Sequence, residues 1–377
     1  VANRAKILFL TLPTGSGHTK AAQALAEETL RRSPGAEVQV VNVFSCLNPL
    51  LSRLMLGAYL KLLNFCPQVY GNAYKWGNNS CLALRGRMIV SGLLASQMQS
   101  FILAFQPDVI ICTHAAAAGL VCNLIRAGRL KVPVLGVVTD FTVHRLWLYP
   151  EVSHYFVADD KLAGQITNFG IKRAQISAFG IPVARKFSRR LAANGKEKPA
   201  GRNGKVKKIL IMGGGYGVLP MDKIAEIGNS LTLPLELFII TGYNHQMMAK
   251  IIKLIPALNK PVHLFGFTDK VPELMTGADI IISKPGGMTT AETLCCGLPM
   301  IIYQPIPGQE EENARFLTER QVAWRVDSLA ELKLMLEELL ISHPEKVEQA
   351  RNNMINLNCS RSAAKIMERV FEMYVQV

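Results

Sequence analysis

The chain has 377 residues, room for two domains of about 100–200 residues, each with its own core. At 49% hydrophobic and 19% charged, it is neither disordered nor collagen-like. Its net charge of +14 is lopsided: residues 1–200 hold 23 Lys and Arg against 9 Asp and Glu, and residues 201–377 hold 19 of each. A basic first half points to a polyanionic partner, nucleic acid or an acidic membrane, against the plainer reading of a solubilising surface.

Short apolar runs alternate with helical stretches along the chain. Residues 6–12 read as a strand, followed by the turn Thr14-Gly15-Ser16-Gly17 and a helix from His18 to Arg32. A second strand is expected at 38–43. From Val38 to Pro107 there is no Asp or Glu, while Arg53, Lys61, Lys75, Arg85 and Arg87 remain. Within that stretch Leu50, Leu51, Leu54, Met55, Ala58, Leu62 and Leu63 recur at helical spacing, with Arg53, Gly57, Lys61 and Asn64 on a narrow strip opposite. Pro49 suits the first turn of this amphipathic helix and Pro67 its end. Two readings stand. The helix lies in a membrane interface with Arg53 and Lys61 against anionic headgroups, or it packs as a core helix with one wet edge. Tyr70, Tyr74 and Trp76, close by, suit an interface. No nucleic-acid-binding motif is present, so nucleic acid is not expected as a partner.

Helices at 88–105 and 115–128 then alternate with strands at 109–113, 134–138 and 154–157. Residues 185–208 carry ten Lys and Arg, one Glu, and Gly195, Pro199, Gly201 and Gly204, and read as a linker. A second series of strands is expected at 208–212, 235–241, 262–265, 280–283, 300–303 and 323–326, with helices at 243–255, 288–297, 310–319 and 329–341. Two last helices, 344–356 and 361–375, close the chain. This alternation predicts an α/β fold of parallel sheets buried on both faces by helices. The expected division is a first domain over 1–186, a basic linker over 187–207, a second domain over 208–360, and a terminal helix at 361–377 that can pack back on the first domain.

No run of about 18 residues is apolar enough to cross a bilayer. Residues 41–63 are broken by Asn48, Pro49, Arg53 and Lys61, and residues 109–125 by His114 and Asn123. Residues 6–12 are too short for a secretory signal, so none is expected. The eight cysteines, at 46, 66, 81, 112, 122, 295, 296 and 359, form no C-x-x-C pair. They read as reduced, buried thiols of a cytoplasmic protein, not as disulfides or zinc ligands.

Each half opens with a strand, a glycine turn and a helix: Leu10-Thr-Leu-Pro-Thr-Gly-Ser-Gly-His18 and Leu210-Ile-Met-Gly-Gly-Gly-Tyr-Gly217. Glycine admits a close phosphate, and a helix start supplies unpaired N–H groups and a positive dipole end. The first loop is no Walker A motif, since no Gly-Lys-Ser/Thr follows. Nor does it fit a dinucleotide site, which needs an acid at the end of the second strand; here that strand ends Asn42-Val-Phe-Ser45 and the next acid is Asp108. In the second half Ser283-Lys-Pro-Gly-Gly-Met-Thr-Thr-Ala-Glu292 runs from a strand end through a glycine turn into a helix, and Tyr303-Gln-Pro-Ile-Pro-Gly-Gln-Glu-Glu-Glu-Asn313 brings polar groups to the end of the next strand. The glycines suit a diphosphate and Glu292 the hydroxyls of a ribose. Singly, Glu292 also reads as a helix carboxylate, and Gln309 and Glu310 as a helix start. In order, on one sheet edge, they point to a sugar-nucleotide site.

These two segments resemble the donor-site signature of the monogalactosyldiacylglycerol synthases and the bacterial processive diacylglycerol glucosyltransferases. The residues Thr14-Gly-Ser-Gly-His-Thr-Lys-Ala-Ala-Gln-Ala-Leu25 resemble their N-terminal loop and helix. Val138-Thr-Asp-Phe-Thr-Val-His-Arg-Leu-Trp147 resembles their T-D…H-x-x-W segment. The match covers nearly the whole chain in order. It departs in the first loop, where Thr14-Gly15-Ser16-Gly17 replaces a run of glycines.

The resemblance implies a GT-B architecture, two Rossmann-like domains facing across a cleft. It implies inverting transfer of a hexose from UDP-glucose or UDP-galactose to the hydroxyl of diacylglycerol, with no cofactor and no obligatory metal. The enzyme would be peripheral, at the cytoplasmic face of the membrane, with anionic lipids as partners. On that reading His18 is the general base or positions the acceptor, with Asp140 as a second candidate base or a group that orients an imidazole. The backbone of Gly213, Gly214 and Gly215, and the Ser283–Gly286–Gly287 turn, face the diphosphate. Phe267 lies by the uracil, Glu292 on the ribose, and Gln309, Glu310 and Asn313 by the hexose. His144 and Trp147 shape the acceptor entrance, and Arg53 and Lys61 meet the membrane. Lys284 reads equally as a phosphate partner or a surface charge. Rival readings are a transferase acting on a polyprenyl-linked peptidoglycan precursor with UDP-GlcNAc, a UDP-sugar epimerase of the same fold, and a non-catalytic lipid-binding scaffold.

Overall fold

The computed structural model describes residues 4–12, 16–46, 57, 98–188, 206–215, 217–355, 357 and 361–375. Arg53, Lys61 and the rest of the expected amphipathic helix apart from Gly57, most of the basic linker, Cys66, Cys81 and Cys359 lie outside the described residues. The chain divides into two compact units, the first comprising 1–184, 307–309 and 361–377 and the second 185–306 and 310–360.

The first unit is a six-stranded, wholly parallel sheet. Its strands are β1 (Lys6–Thr11), β2 (Glu37–Asn42), β3 (Val109–Cys112), β4 (Val134–Val137), β5 (His154–Val157) and β6 (Ile176–Ala178). They lie in the order β2-β1-β3-β4-β5-β6. Strands β3, β4 and β5 are buried along their whole length, the signature of a sheet covered on both faces. Side chains alternate between two cores. Leu8, Leu10, Ile110 and Cys112 enter one, with Leu120, Val121 and Leu124 of helix α2 (Ala115–Arg126). Ile7, Phe9, Val109 and Ile111 enter the other, with Ala22 and Leu25 of α1 (Gly17–Arg32).

That second core is completed from the far end of the chain. The last helix, Ser362–Tyr374, supplies Ala363, Ile366, Met367 and Val370, spaced to form one apolar stripe. Its start sits tight on the loop after β6: Gly180 has φ +90°, and a Cβ there would come 2.3 Å from the Ser362 Oγ. Only glycine fits that approach.

The second unit repeats the architecture with β7 (Lys207–Met212), β8 (Leu235–Ile240), β9 (Val262–Phe265), β10 (Ile280–Ser283), β11 (Met300–Tyr303) and β12 (Ala323–Val326). All pairs are parallel, in the order β12-β11-β10-β7-β8-β9. Ile209, Ile211, Ile280, Ile282, Leu237 and Ile239 form the core of one face. Helix α3 (Gly287–Cys296) is buried nearly all round, and helix α4 (Gln309–Glu319) follows β11.

The sequence pattern misses four elements: β6 and the helices Asp160–Thr167, Met221–Ser230 and Val271–Gly277. Each is short, ten residues or fewer, so its pattern spans few turns. β6 is three residues long and pairs with β5. Residues 185–188, read as the approach to a linker, form a helical turn of the second unit, where the Phe187 carbonyl faces the Cys296 thiol at 3.8 Å. Cys112, Cys122, Cys295 and Cys296 are buried.

His154 begins β5 and is almost fully buried, with Nε2 2.9 Å from the Ser177 Oγ. Burial, and to a lesser degree the charge of Arg369 on the last helix, lowers its pKa to about 4. The folded protein therefore holds the neutral ring. The associated stability is complete above about pH 6.5 and is lost as the pH falls toward 4, by up to about 3 kcal/mol. In urea unfolding between pH 7 and 4, a His154→Gln chain is expected to close its stability gap to the wild type as the pH drops. A pH-independent gap would contradict the assignment.

Candidate functional site

In both sheets the strand order reverses beside the first strand of the unit, between β1 and β3 and between β7 and β10. Loops leaving two such strands diverge to opposite faces and open a crevice at their C-terminal ends, the place where open α/β sheets bind ligands.

In the first unit the crevice holds a polar cluster. Helix α1 begins just after β1; its N-cap Ser16 makes no side-chain cap bond, and its first turn has no acid. His18, in that turn, is half-buried. Its Nδ1 lies 2.9 Å from the Thr113 carbonyl at the end of β3 and 2.7 Å from the Thr139 Oγ1 after β4. A carbonyl only accepts, so the proton sits on Nδ1 and the neutral ring keeps its lone pair on Nε2. Burial lowers the His18 pKa, while the Asp140 carboxylate and the Thr113 bond pull the other way. Asp140 is itself buried, beside Thr139. His114, the N-cap of α2, packs edge-on against His18 with ring centroids 4.6 Å apart, and its Nδ1 accepts from the Ala116 N–H at 3.1 Å. Burial, then the neighbouring His18, pushes the His114 pKa well below the imidazole range.

His144 and Trp147 are both buried. The His144 Nδ1 accepts from Leu146 N–H and starts a short 3-10 turn, and the Trp147 carbonyl accepts from the Tyr155 hydroxyl. Trp147 belongs to the core cluster over the sheet, so neither residue presents an exposed side chain at an entrance.

In the second unit the loop after β7 closes on itself, with Val218 N–H donating to Gly213 O and Gly217 N–H to Gly214 O. The amides of Gly214 and Gly215 donate to no acceptor among the described residues. Gly214, Gly217 and Gly242 have positive φ, and a Cβ on Gly217 would meet the Thr241 carbonyl at 2.3 Å. Across the switch point, Ser283 donates its hydroxyl to the Met212 carbonyl at 2.6 Å, tying β10 to β7. Helix α3 opens at Gly286 without a side-chain cap and without an acid in its first turn, so its positive end is uncompensated.

Glu292 lies on α3, 1% exposed. Asn313 of α4 is buried and donates to the Pro285 carbonyl at 2.9 Å, holding the glycine turn. The Glu310 carboxylate accepts from Ile306 N–H at 2.8 Å and so shapes the turn before α4. Gln309 is the first residue of α4 and groups with the first unit. Lys284, whose pKa burial lowers against the opposing charge of Glu310, donates to the Gln304 carbonyl at 2.7 Å. Phe267 is exposed and stacks on exposed Tyr243, centroids 4.5 Å apart and planes 12° from parallel.

Thr113, His114, Thr139 and Tyr243 are not among the site residues that the sequence points to. Thr113 and Thr139 do carry a signal: each is the first polar residue after a wholly apolar strand, the position at which a parallel strand leaves its sheet.

Residues 18–183 match the monogalactosyldiacylglycerol (MGDG) synthase family, and residues 208–370 match the glycosyltransferase family 28 C-terminal domain. A processive diacylglycerol beta-glucosyltransferase of Bacillus pumilus is 29% identical over 371 residues, spanning 97% of this chain and 94% of that one. Among solved structures, MurG of Acinetobacter baumannii superposes with a TM-score of 0.64 at 15% identity, covering 98% of this chain and all of the other. The UDP-GlcNAc 2-epimerase of Neisseria meningitidis bound to UDP-GlcNAc gives 0.58 at 17% identity, covering 97% and 100%. The fold is of the GT-B kind, built from two Rossmann-like units.

A Gly217→Ala substitution forces both a left-handed φ on alanine and a clash with the Thr241 carbonyl. It is expected to cost about 2 kcal/mol or more, read as a lower thermal melting temperature. An unchanged melting temperature would mean that the loop yields freely.

Proposed function

We propose that the protein is a UDP-glucose-dependent glucosyltransferase. It moves the hexose to the hydroxyl of diacylglycerol with inversion, without a metal ion, at the cytoplasmic face of a membrane. The observation that carries this reading is the match, over 97% of the chain, to relatives named as processive diacylglycerol beta-glucosyltransferases. The His18 arrangement supports it from chemistry. A single displacement needs a base for the incoming hydroxyl and a sink for the charge that grows on the departing diphosphate. His18 supplies the base at Nε2, held in the right tautomer by the Thr113 carbonyl. Asp140 supplies a negative charge that steadies the ring once it is protonated.

The leaving UDP is received in the second unit by the amides of the Gly213–Gly215 loop and the open start of α3, with Phe267 by the uracil, Glu292 on the ribose and Gln309 and Glu310 by the hexose. In this reading Ser283, Asn313 and Lys284 act mainly by holding those loops, since their polar atoms bond to backbone carbonyls. No helix among the described residues is long and apolar enough to cross a membrane. Attachment would come from the acid-free basic stretch that holds Arg53 and Lys61, drawn to anionic lipid. Transfer to a peptidoglycan precursor and sugar epimerisation are supported here by likeness of fold alone.

The deciding experiment incubates the chain with labelled UDP-glucose, UDP-galactose or UDP-GlcNAc on vesicles containing diacylglycerol, with and without anionic lipid. A glucosyl product from UDP-glucose is expected; product from UDP-GlcNAc alone, or none, would overturn the reading. Glu292→Gln is expected to lower UDP affinity by about tenfold or more in calorimetry while vesicle binding persists. Replacing Arg53 and Lys61 by Glu should weaken binding to anionic vesicles and leave UDP binding unchanged. Because burial lowers the His18 pKa and the neutral ring is the active form, kcat/KM should be level with respect to this group from neutral pH upward and fall as acid protonates Nε2. A flat acid limb would remove His18 as the base.

A further inference from the structure

The two imidazoles in the first crevice are held in opposite tautomers. His18 faces a carbonyl with Nδ1 and so carries its proton there, leaving Nε2 as an acceptor. His114 accepts a backbone N–H at Nδ1 and so carries its proton on Nε2, as a donor. Neither Nε2 has a hydrogen-bonding partner among the described residues. The rings touch, with centroids 4.6 Å apart, and both are only half-buried. An acceptor beside a donor matches a group that donates and accepts through one atom, which is a hydroxyl.

We propose that His114 is a second acceptor-binding residue, donating its Nε2–H to the same alcohol oxygen whose proton His18 removes. As the O–H bond breaks, its electron pair stays on the oxygen and the proton passes to His18 Nε2. The oxygen then attacks the sugar carbon as the bond to UDP breaks. Negative charge grows on that oxygen in the transition state, and the bond from His114 strengthens with it. Burial and the neighbouring ring keep His114 neutral, so it donates without competing for the proton. The α2 N-cap bond fixes its orientation from behind. The ligand class is a primary alcohol, and the inference rests on the reading of His18 as base toward an alcohol acceptor.

Two substitutions separate this role from capping. Asparagine at 114 keeps an acceptor for the Ala116 N–H but does not reach the Nε2 position; glutamine reaches it with an amide N–H. His114→Asn is expected to lower kcat/KM for diacylglycerol by about 100-fold, with the UDP-glucose KM and the melting temperature unchanged, and His114→Gln should regain about tenfold of that. A His114→Asn chain within about twofold of wild type, or a glutamine variant no better than asparagine, overturns the proposal. The second measurement needs no turnover. In the full chain labelled with 15N-histidine, dioctanoylglycerol micelles should shift the Nε2 resonances of His18 and His114 together. A His114 resonance that does not respond while His18 does overturns the proposal. If the wild type transfers no hexose but both resonances respond to dioctanoylglycerol, the functional reading falls and the hydroxyl contact stands.

Discussion

A parallel strand must hand its chain to a helix on one face of the sheet or the other, and the chemistry of this protein depends on where that choice reverses. It reverses twice, beside β1 and beside β7. At each reversal the departing loops part and leave backbone groups unpaired by the sheet. In the first unit the gap is filled by side chains that bond across it, His18 from β1's loop to Thr113 and Thr139 from the loops of β3 and β4. In the second the Ser283 hydroxyl ties the strands, and the rest is left to backbone, with glycines at 213, 214, 215, 217, 286 and 287 and an uncapped helix start. One crevice is thus suited to proton transfer and the other to an anion.

The sheets impose a second demand, cover on both faces. In the first unit one of the covering helices comes from the last residues of the chain, Ser362–Tyr374, whose apolar stripe joins α1 over Ile7, Phe9, Val109 and Ile111. The chain therefore begins and ends in the same unit, and the second unit is inserted in between. Such an arrangement couples the integrity of the unit that holds His18 to residues about 350 positions away in sequence from it. The glycine at 180, with its left-handed backbone against Ser362, marks where that return is locked.

Burial sets the electrostatics of the histidines. Taking an imidazole out of water disfavours its charged form, so His18, His114 and His154 all shift downward. For His154 the result is a pH-dependent stability. For the pair at the first switch point it is two neutral rings, each with its tautomer set by a backbone partner. The basic excess of the chain also lies in the first 200 residues, chiefly in segments that carry few acids and no part of the histidine pair.

Much of this was written in local pattern. All-apolar runs such as Val109–Cys112 and Met300–Tyr303, bounded by glycine and polar residues, identify buried parallel strands because a strand covered on both faces has no wet side to alternate with. The glycine loops, His18 and the charge asymmetry are likewise legible from spacing and composition alone. What the sequence could not decide was which side chains meet. Thr113 and Thr139 stand 95 and 121 residues from His18, and nothing local says that their strands are neighbours. The burial of Trp147, the placing of Ser283 and Asn313 on backbone carbonyls, and the pairing of His114 with His18 all follow from strand order. Composition and periodicity act over a few residues, and so they determined the elements; the tautomer of a histidine depends on an atom brought beside it from a distant strand, and so only the tertiary structure decided it.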